Sequence, residues 1–278
     1  PTRYAGLENG IANAYANAVV QALFFVPPLA SALASAPPAV DAEFSLLDEC
    51  GALFRMLAAA PRGACQASNL LRALRASREA VGLGLVEGQA QRAAGGGDIE
   101  AEAAKVASLA RRVQSLARFL LEQLHREAAL RGVGGGGSGG SGAAPSSVVA
   151  DTFGVPFRVA TRLLVGDGRS HERDTRAFSV ELAHPPAKER PPQWWASTSA
   201  PADADAPTPG PSFADMLASA LRAEVVARAW FDADAGYAPV STRRVPVALP
   251  PYLVVCTGLH DRGDLAWWAP GREVEGAA

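Results

Sequence analysis

Gly6-Leu7-Glu8-Asn9-Gly10-Ile11-Ala12-Asn13-Ala14-Tyr15-Ala16-Asn17 is the most informative run of this 278-residue chain. Glycine and asparagine in its first half mark a turn. From residue 13 to 25 the pattern becomes helical. Tyr15, Val19, Ala22 and Leu23 share one face, and Pro27-Pro28 is predicted to stop the helix. A second helix is predicted over 43–60, with Phe44, Leu47, Gly51, Phe54 and Leu57 apolar or small at spacings of three and four. Ser68 is predicted to cap a short helix carrying Leu70, Leu71 and Leu74. A long helix over 99–130 has Val106, Leu109, Val113, Leu116, Leu120 and Leu124 as its stripe. Its wet face is Arg111, Arg112, Arg118, Glu122 and Arg126.

Beyond residue 131 the period turns towards two. Val155–Val165, Thr175–Leu182, Tyr237–Val247 and Tyr252–Thr257 read as strands, and a helix over Phe213–Arg228 is predicted with Ser212 as its cap. Helices first and sheet afterwards indicate an α+β class rather than a βαβ array. The organisation expected is one domain over 1–278. It comprises a helical part (1–131), a Gly/Ser-rich insertion (132–147), strands (148–183), a Pro/Ala-rich insertion expected to be extended and mobile (184–211), and a helix plus strands (212–278).

Composition narrows the function classes. A net charge of −2 announces no strongly basic nucleic-acid face. The 3 cysteines, Cys50, Cys65 and Cys256, form no close pair. Neither a disulfide scaffold nor a structural zinc site is expected, and no metal or cofactor. No apolar run reaches about 18 residues, so no membrane span is expected. The chain opens on Pro1 without a signal-like segment, which fits a cytosolic or nuclear protein and a piece of a longer one.

The opening run resembles the first box of the ubiquitin-specific protease family, G-L-x-N-x-G-N-T-C-Y-x-N, with Gly6, Leu7, Asn9, Tyr15 and Asn17 on matching positions. Later landmarks follow in order: Phe153-Gly154, Phe178-x-Val180-x-Leu182, and Leu249-Pro250-x-x-Leu253. The resemblance implies a papain-like cysteine-protease fold, a helical half followed by an antiparallel sheet, ending before the box that carries the family's catalytic His. It also places the family's nucleophile at Ala14 and its oxyanion-stabilising Asn at Ala12. In that fold the thiol sits at a helix N-terminus, where amides and dipole favour a thiolate. Alanine supplies neither group. The zinc-ribbon cysteines of many members have no counterpart either, since the chain reads Phe231-Asp232-Ala233-Asp234 after Trp230.

Within the family the chain is similar to the inactive ubiquitin-hydrolase-like domain of poly(A)-nuclease deadenylase catalytic subunits. The similarity is carried by Tyr4–Asn9, Ile11–Ala18, Cys65–Ala73, Arg118–His125 and Pro211–Trp230. It implies a scaffold without catalytic residues of its own, acting in mRNA poly(A)-tail shortening. The implied partners are flanking propeller and exonuclease domains, the adaptor subunit of that complex and poly(A) RNA. The implied location is the cytoplasm and P-bodies. Candidate interaction residues are Arg72, Arg75, Trp230, Trp267 and Trp268: arginines for phosphates, tryptophans for stacking on bases or packing at an interface. Two other readings remain open at this point: an active thiol hydrolase using Cys65 or Cys256, and a ubiquitin-binding module without hydrolysis. Cys65 otherwise reads as a structural thiol. His125 reads as a cap or packing group whose cationic ring suits a helix C-terminus, and His171 as a solvated turn residue.

Overall fold

The computed structural model describes residues 5–9, 14–39, 45–60, 63–85, 99–134, 146–165, 169–182, 212–231 and 236–257. The element order is β1 (Gly6–Leu7), α1 (Ala14–Phe24), α2 (Pro27–Ser35), α3 (Leu46–Ala59), β2 (Ala64–Cys65), α4 (Ser68–Ala76), α5 (Arg78–Gly82), α6 (Ile99–Leu130) and α7 (Val148–Phe153). There follow β3 (Val155–Leu163), β4 (Ser170–Ala177), β5 (Val180–Glu181), α8 (Phe213–Leu221), β6 (Glu224–Phe231), β7 (Gly236–Pro246) and β8 (Val255–Cys256). The chain divides into two units. The first is Pro1–Val155 with Arg176–Ser179 and Leu249–Val254, and the second is Pro156–Thr175, Val180–Ala248 and Val255–Ala278. The insertion at 184–211 and most of the Gly/Ser-rich one lie outside the described residues.

The first unit is a helical core. Tyr15, Val19 and Leu23 of α1 are buried, as the spacing predicts, together with Ala16 and Val20, while predicted Ala22 is exposed. α1 stops at Phe24, as the Pro27-Pro28 pair predicts, and that pair has a second role. It begins α2, whose axis turns 97° from α1, because proline at the first helical position lacks only an amide that has no partner there. In α3, Leu46, Leu47, Cys50, Leu53, Phe54 and Leu57 are buried, and predicted Phe44 lies outside the described residues. Gly51 sits where α2 crosses α3: a Cβ there would lie 2.4 Å from the Leu33 carbonyl oxygen. Ser68 is the first residue of α4 and Ala67 its cap, with no side-chain capping bond. In α6, Leu116, Leu120, Leu121 and Leu124 are fully buried, but predicted Leu109 is half exposed.

One polar network staples α6 to the start of α3. Arg131 grips both oxygens of Asp48 at 2.6 and 2.8 Å and donates to Ser45 Oγ at 2.6 Å. Ser45 caps α3 by accepting from the Asp48 amide and donates to Glu127 Oε2 at 2.7 Å, which also accepts from the Leu47 amide. Burial alone would raise the Asp48 carboxyl, but the Arg131 and Ala39 hydrogen bonds outweigh it and hold it below its ordinary value.

The second unit is a four-stranded sheet in the order β4-β3-β7-β6. β7 pairs antiparallel with β3 (Phe157 opposite Pro246 through Leu163 opposite Val240) and with β6 (Glu224 opposite Arg243 through Phe231 opposite Gly236). The α+β class and antiparallel sheet are as expected, with two short parallel pairs added, β1 with β2 and β5 with β8. Three local expectations are corrected. The helix predicted to Arg228 ends at Leu221, behind the capping box of Ser212 and Asp215. Glu224–Phe231 is instead a strand, because β7, a few residues further along, offers it a full ladder that helical spacing cannot reveal. Thr175–Leu182 is broken, since Phe178 leaves the strand and packs into the core of the first unit. His171 lies in strand β4, exposed, rather than in a turn.

Candidate functional site

The opening run is held from two sides. β1 lies parallel to β2, with Leu7 opposite Cys65 and the Glu8 amide donating to the Cys65 carbonyl at 2.9 Å. On the other side α1 reaches back. Asn17 Nδ2 donates to the Glu8 carbonyl at 3.1 Å and Gln21 Nε2 to the Ala5 carbonyl at 3.3 Å. Gln66 Nε2 donates to Glu8 Oε2 at 2.8 Å, and the buried Tyr15 hydroxyl donates to the Leu85 carbonyl. The matching residues Gly6, Leu7, Tyr15 and Asn17 thus fix the strand-to-helix crossing itself.

At that crossing Ala14 is the first residue of α1, and it is exposed. The start of a helix leaves amide donors without intrahelical partners and carries the positive end of the dipole. The methyl group there offers no atom to ionise, attack or accept a proton. Ala12 lies outside the described residues.

Among the described residues of the first unit, no thiol and imidazole form a reactive pair. Cys65 is buried in the core cluster. Cys50 is wholly buried, and that burial, aided by the Glu127 and Glu49 carboxylates, pushes its thiol far up. Cys256 sits in β8, half-buried. His125 packs rather than catalyses, as one of its readings had it. Its Nδ1 meets Ser147 Oγ at 2.7 Å and its ring lies 4.9 Å from that of Phe178. The cationic role is corrected: burial, then Arg176 and Arg126, lower its pKa, so the ring is neutral near pH 7. Buried Ser147 accepts from the Ala150 amide as the cap of α7, leaving its own proton for Nδ1. Among the described residues no cluster of three or more His, Cys, Asp or Glu could hold a metal ion.

The predicted interaction residues that are described belong to two different units. Arg72 and Arg75 are exposed on α4, and Arg78 opens the separate helix α5. Trp230 is on β6, 54% exposed rather than in a core, edge-on to Tyr237 of β7 with centroids 5.6 Å apart. Trp267 and Trp268 lie outside the described residues. Sequence reading missed the Arg131 network, although Ser45 three residues before Asp48 is a capping spacing. It also missed the neighbours of Trp230, which only strand register brings together.

A family model described as ubiquitin carboxyl-terminal hydrolase matches residues 5–274. The chain is 29% identical over 98% of its length to the human PAN2-PAN3 deadenylation complex catalytic subunit PAN2, covering 21% of that protein. It is 42% identical to the Chaetomium thermophilum counterpart over 45% of this chain and 10% of that one. The chain thus spans about a fifth of its full-coverage curated relatives. In fold it is similar to the Neurospora crassa Pan2 catalytic unit of protease and nuclease domains (TM-score 0.62, 23% identity, 92% of this chain and 37% of that one). It is also similar to the Saccharomyces cerevisiae PAN2 pseudoubiquitin-hydrolase (TM-score 0.55, 16% identity, 91% and 52%). From the opening box, the strand-to-helix crossing it builds and this match over nearly the whole length, the chain belongs to the ubiquitin carboxyl-terminal hydrolase family.

Proposed function

We propose that this chain is a catalytically inactive ubiquitin-hydrolase-like platform within the catalytic subunit of a poly(A)-specific deadenylase, acting in mRNA poly(A)-tail shortening. The observation that carries the reading is Ala14, an exposed methyl group at the helix N-terminus where the family's first box places its cysteine. Ala12 stands where that box has its oxyanion donor, and loss of such a donor removes about 3 kcal/mol of transition-state stabilisation in other enzymes. The packing around the crossing is kept while its chemistry is gone, as suits a domain used for its surface.

The names of the relatives support the wider setting. They are catalytic subunits of a deadenylation complex, and a Saccharomyces cerevisiae Pan2 module of pseudoubiquitin hydrolase and exonuclease has been solved with A7 RNA. In this reading the platform holds propeller and exonuclease domains of the same polypeptide in fixed relation and contacts the adaptor subunit, in the cytoplasm and P-bodies. Arg72, Arg75, Trp267 and Trp268 are its proposed contact residues. An interface on the order of 1,000 Å² is needed for such coupling. An active thiol hydrolase using Cys65 or Cys256 is not favoured, since Cys65 is buried against the core.

The test is a ubiquitin carrying an electrophilic C-terminus. The expected result is that no cysteine of this protein is labelled while a control protease is. Labelling of Cys65, Cys50 or Cys256 would overturn the reading.

A further inference from the structure

The two faces of the second unit's sheet are unequally used. On one face Leu163, Ala238 and Val240 form a small core with Ala229. Arg244 also lies on that face, 5.2 Å over the Phe157 ring, and donates to the Ala220 carbonyl of α8 at 2.8 Å. The register puts a different set on the opposite face. Arg162 lies across from Ser241, and Ser241 from Val226. Arg243 is next along β7, Pro239 is opposite Arg228, and Tyr237 is opposite Trp230. Val226, Trp230 and Tyr237 are 66%, 54% and 65% exposed, and Arg162, Arg228 and Arg243 are exposed too.

Among the described residues, the carboxylates nearest these arginines in the strands are Asp174 and exposed Glu172 of β4 and Glu224 of β6, none of them beside Trp230 in the register. Asp174 is occupied by Arg158 at 3.6 Å, and the Glu224 carboxylate accepts from the Ser241 hydroxyl. Among the described residues, Arg162 and Arg228 have no carboxylate within ion-pair distance. Arg228 instead donates to the Tyr237 carbonyl at 3.3 Å, which holds its guanidinium beside the aromatic pair. From Trp230 and Tyr237 to the Arg162 row is four residues of strand, about 14 Å.

We propose that this face binds a short stretch of single-stranded RNA. Bases would stack on Trp230 and Tyr237, and the following phosphates would meet Arg228 and Arg162. Peptides engage a sheet at its edge or in a groove. A broad face offering aromatic rings with interleaved arginines matches unpaired bases joined by phosphates, the way four-stranded RNA-binding sheets hold two or three bases. A duplex hides its ring faces and cannot stack here. The choice of RNA over DNA rests on the function proposed above, while the binding face itself does not.

The test is fluorescence anisotropy of a dye-labelled adenylate RNA of about 20 nucleotides with the full chain. It is repeated with Trp230→Ala/Tyr237→Ala and with Arg162→Glu/Arg228→Glu, whose exposed positions leave the fold intact by circular dichroism. The aromatic variant is expected to weaken binding by roughly fivefold or more. The arginine variant is expected to weaken it and to flatten the salt dependence by about one to two phosphate contacts. Failure of the unaltered chain to bind, equal binding by both variants, or tighter binding of DNA of the same sequence or of an acidic peptide would overturn the proposal. None of these results bears on ubiquitin-probe labelling, so the two readings fail separately.

Discussion

The helical unit and the sheet unit are built on different principles. In the first, helices α3, α4 and α6 bury side chains as large as Phe54, Leu57, Leu74, Leu116 and Leu120 to 2% exposure or less. In the second, backbone ladders join the strands, and the buried apolar side chains include Phe157, Leu163, Leu182, Met216 and Val240. The contrast teaches where each kind of function can reside. A tightly packed unit tolerates loss of its reactive groups without loss of shape, because none of its packing depends on them. A sheet with exposed side chains such as Val226 and Tyr237 on one face offers a surface for binding.

The largest effect that would sharpen this contrast is in the helical core. Phe54→Ala should lower unfolding free energy by about 3–5 kcal/mol in a denaturant titration. A loss below about 1 kcal/mol would mean that this core is loosely packed. Next comes the polar staple. Arg131→Met leaves Asp48 and Ser45 without their donor in a partly buried place and should cost about 2–3 kcal/mol. Arg126→Met, which breaks an exposed bridge to Glu79, should cost no more than about 0.5 kcal/mol. Equal losses for the two would remove the special role of the staple.

A smaller effect concerns pH. His125 has a lowered pKa when folded, so the unfolded chain binds its proton more readily. Stability is therefore full above the ordinary value of 6.5 and falls as pH drops below it, until the folded-state value is passed. Asp48 acts in a separate, lower window. Its contribution is present above 3.8 and is lost as pH falls through its lower folded value. Melting curves taken between about pH 8 and pH 5 should show the first decline, and His125→Gln should flatten it. An unchanged slope in that variant would place the titration elsewhere. The smallest effect belongs to the open face: Val226→Thr should change stability by no more than about 0.5 kcal/mol. A large loss would mean that this face is covered in the folded protein.

How far the sequence was legible follows from the range of each interaction. The apolar stripes of α1, α3 and α6 and the cap at Ser212 are local patterns, and the structure bears them out apart from exposed Ala22 and half-exposed Leu109. Pro27-Pro28 marks the end of α1 as expected, but the helix it begins is not announced, because a proline that ends one helix also suits the first position of another. Glu224–Phe231 was misread because its strand character comes from pairing with β7, not from its own residues. His125 was given a charge by its place near a helix end, yet the Phe178 ring and Arg176, distant in sequence, keep it neutral. At the candidate site Ala14 and the surrounding box were legible because the motif is contiguous. The arginine–aromatic face was not, since its members come from three strands whose register no single segment encodes.

The central claim is that the crossing at Ala14 keeps the architecture of a hydrolase without its chemistry. Turnover of a fluorogenic ubiquitin C-terminal substrate, measured for the protein and for its Ala14→Cys variant beside an active protease, tests it most directly. The account expects no turnover from either, because the thiol alone does not regain the donor replaced at Ala12. Steady release of the fluorophore by the unaltered protein would contradict it outright.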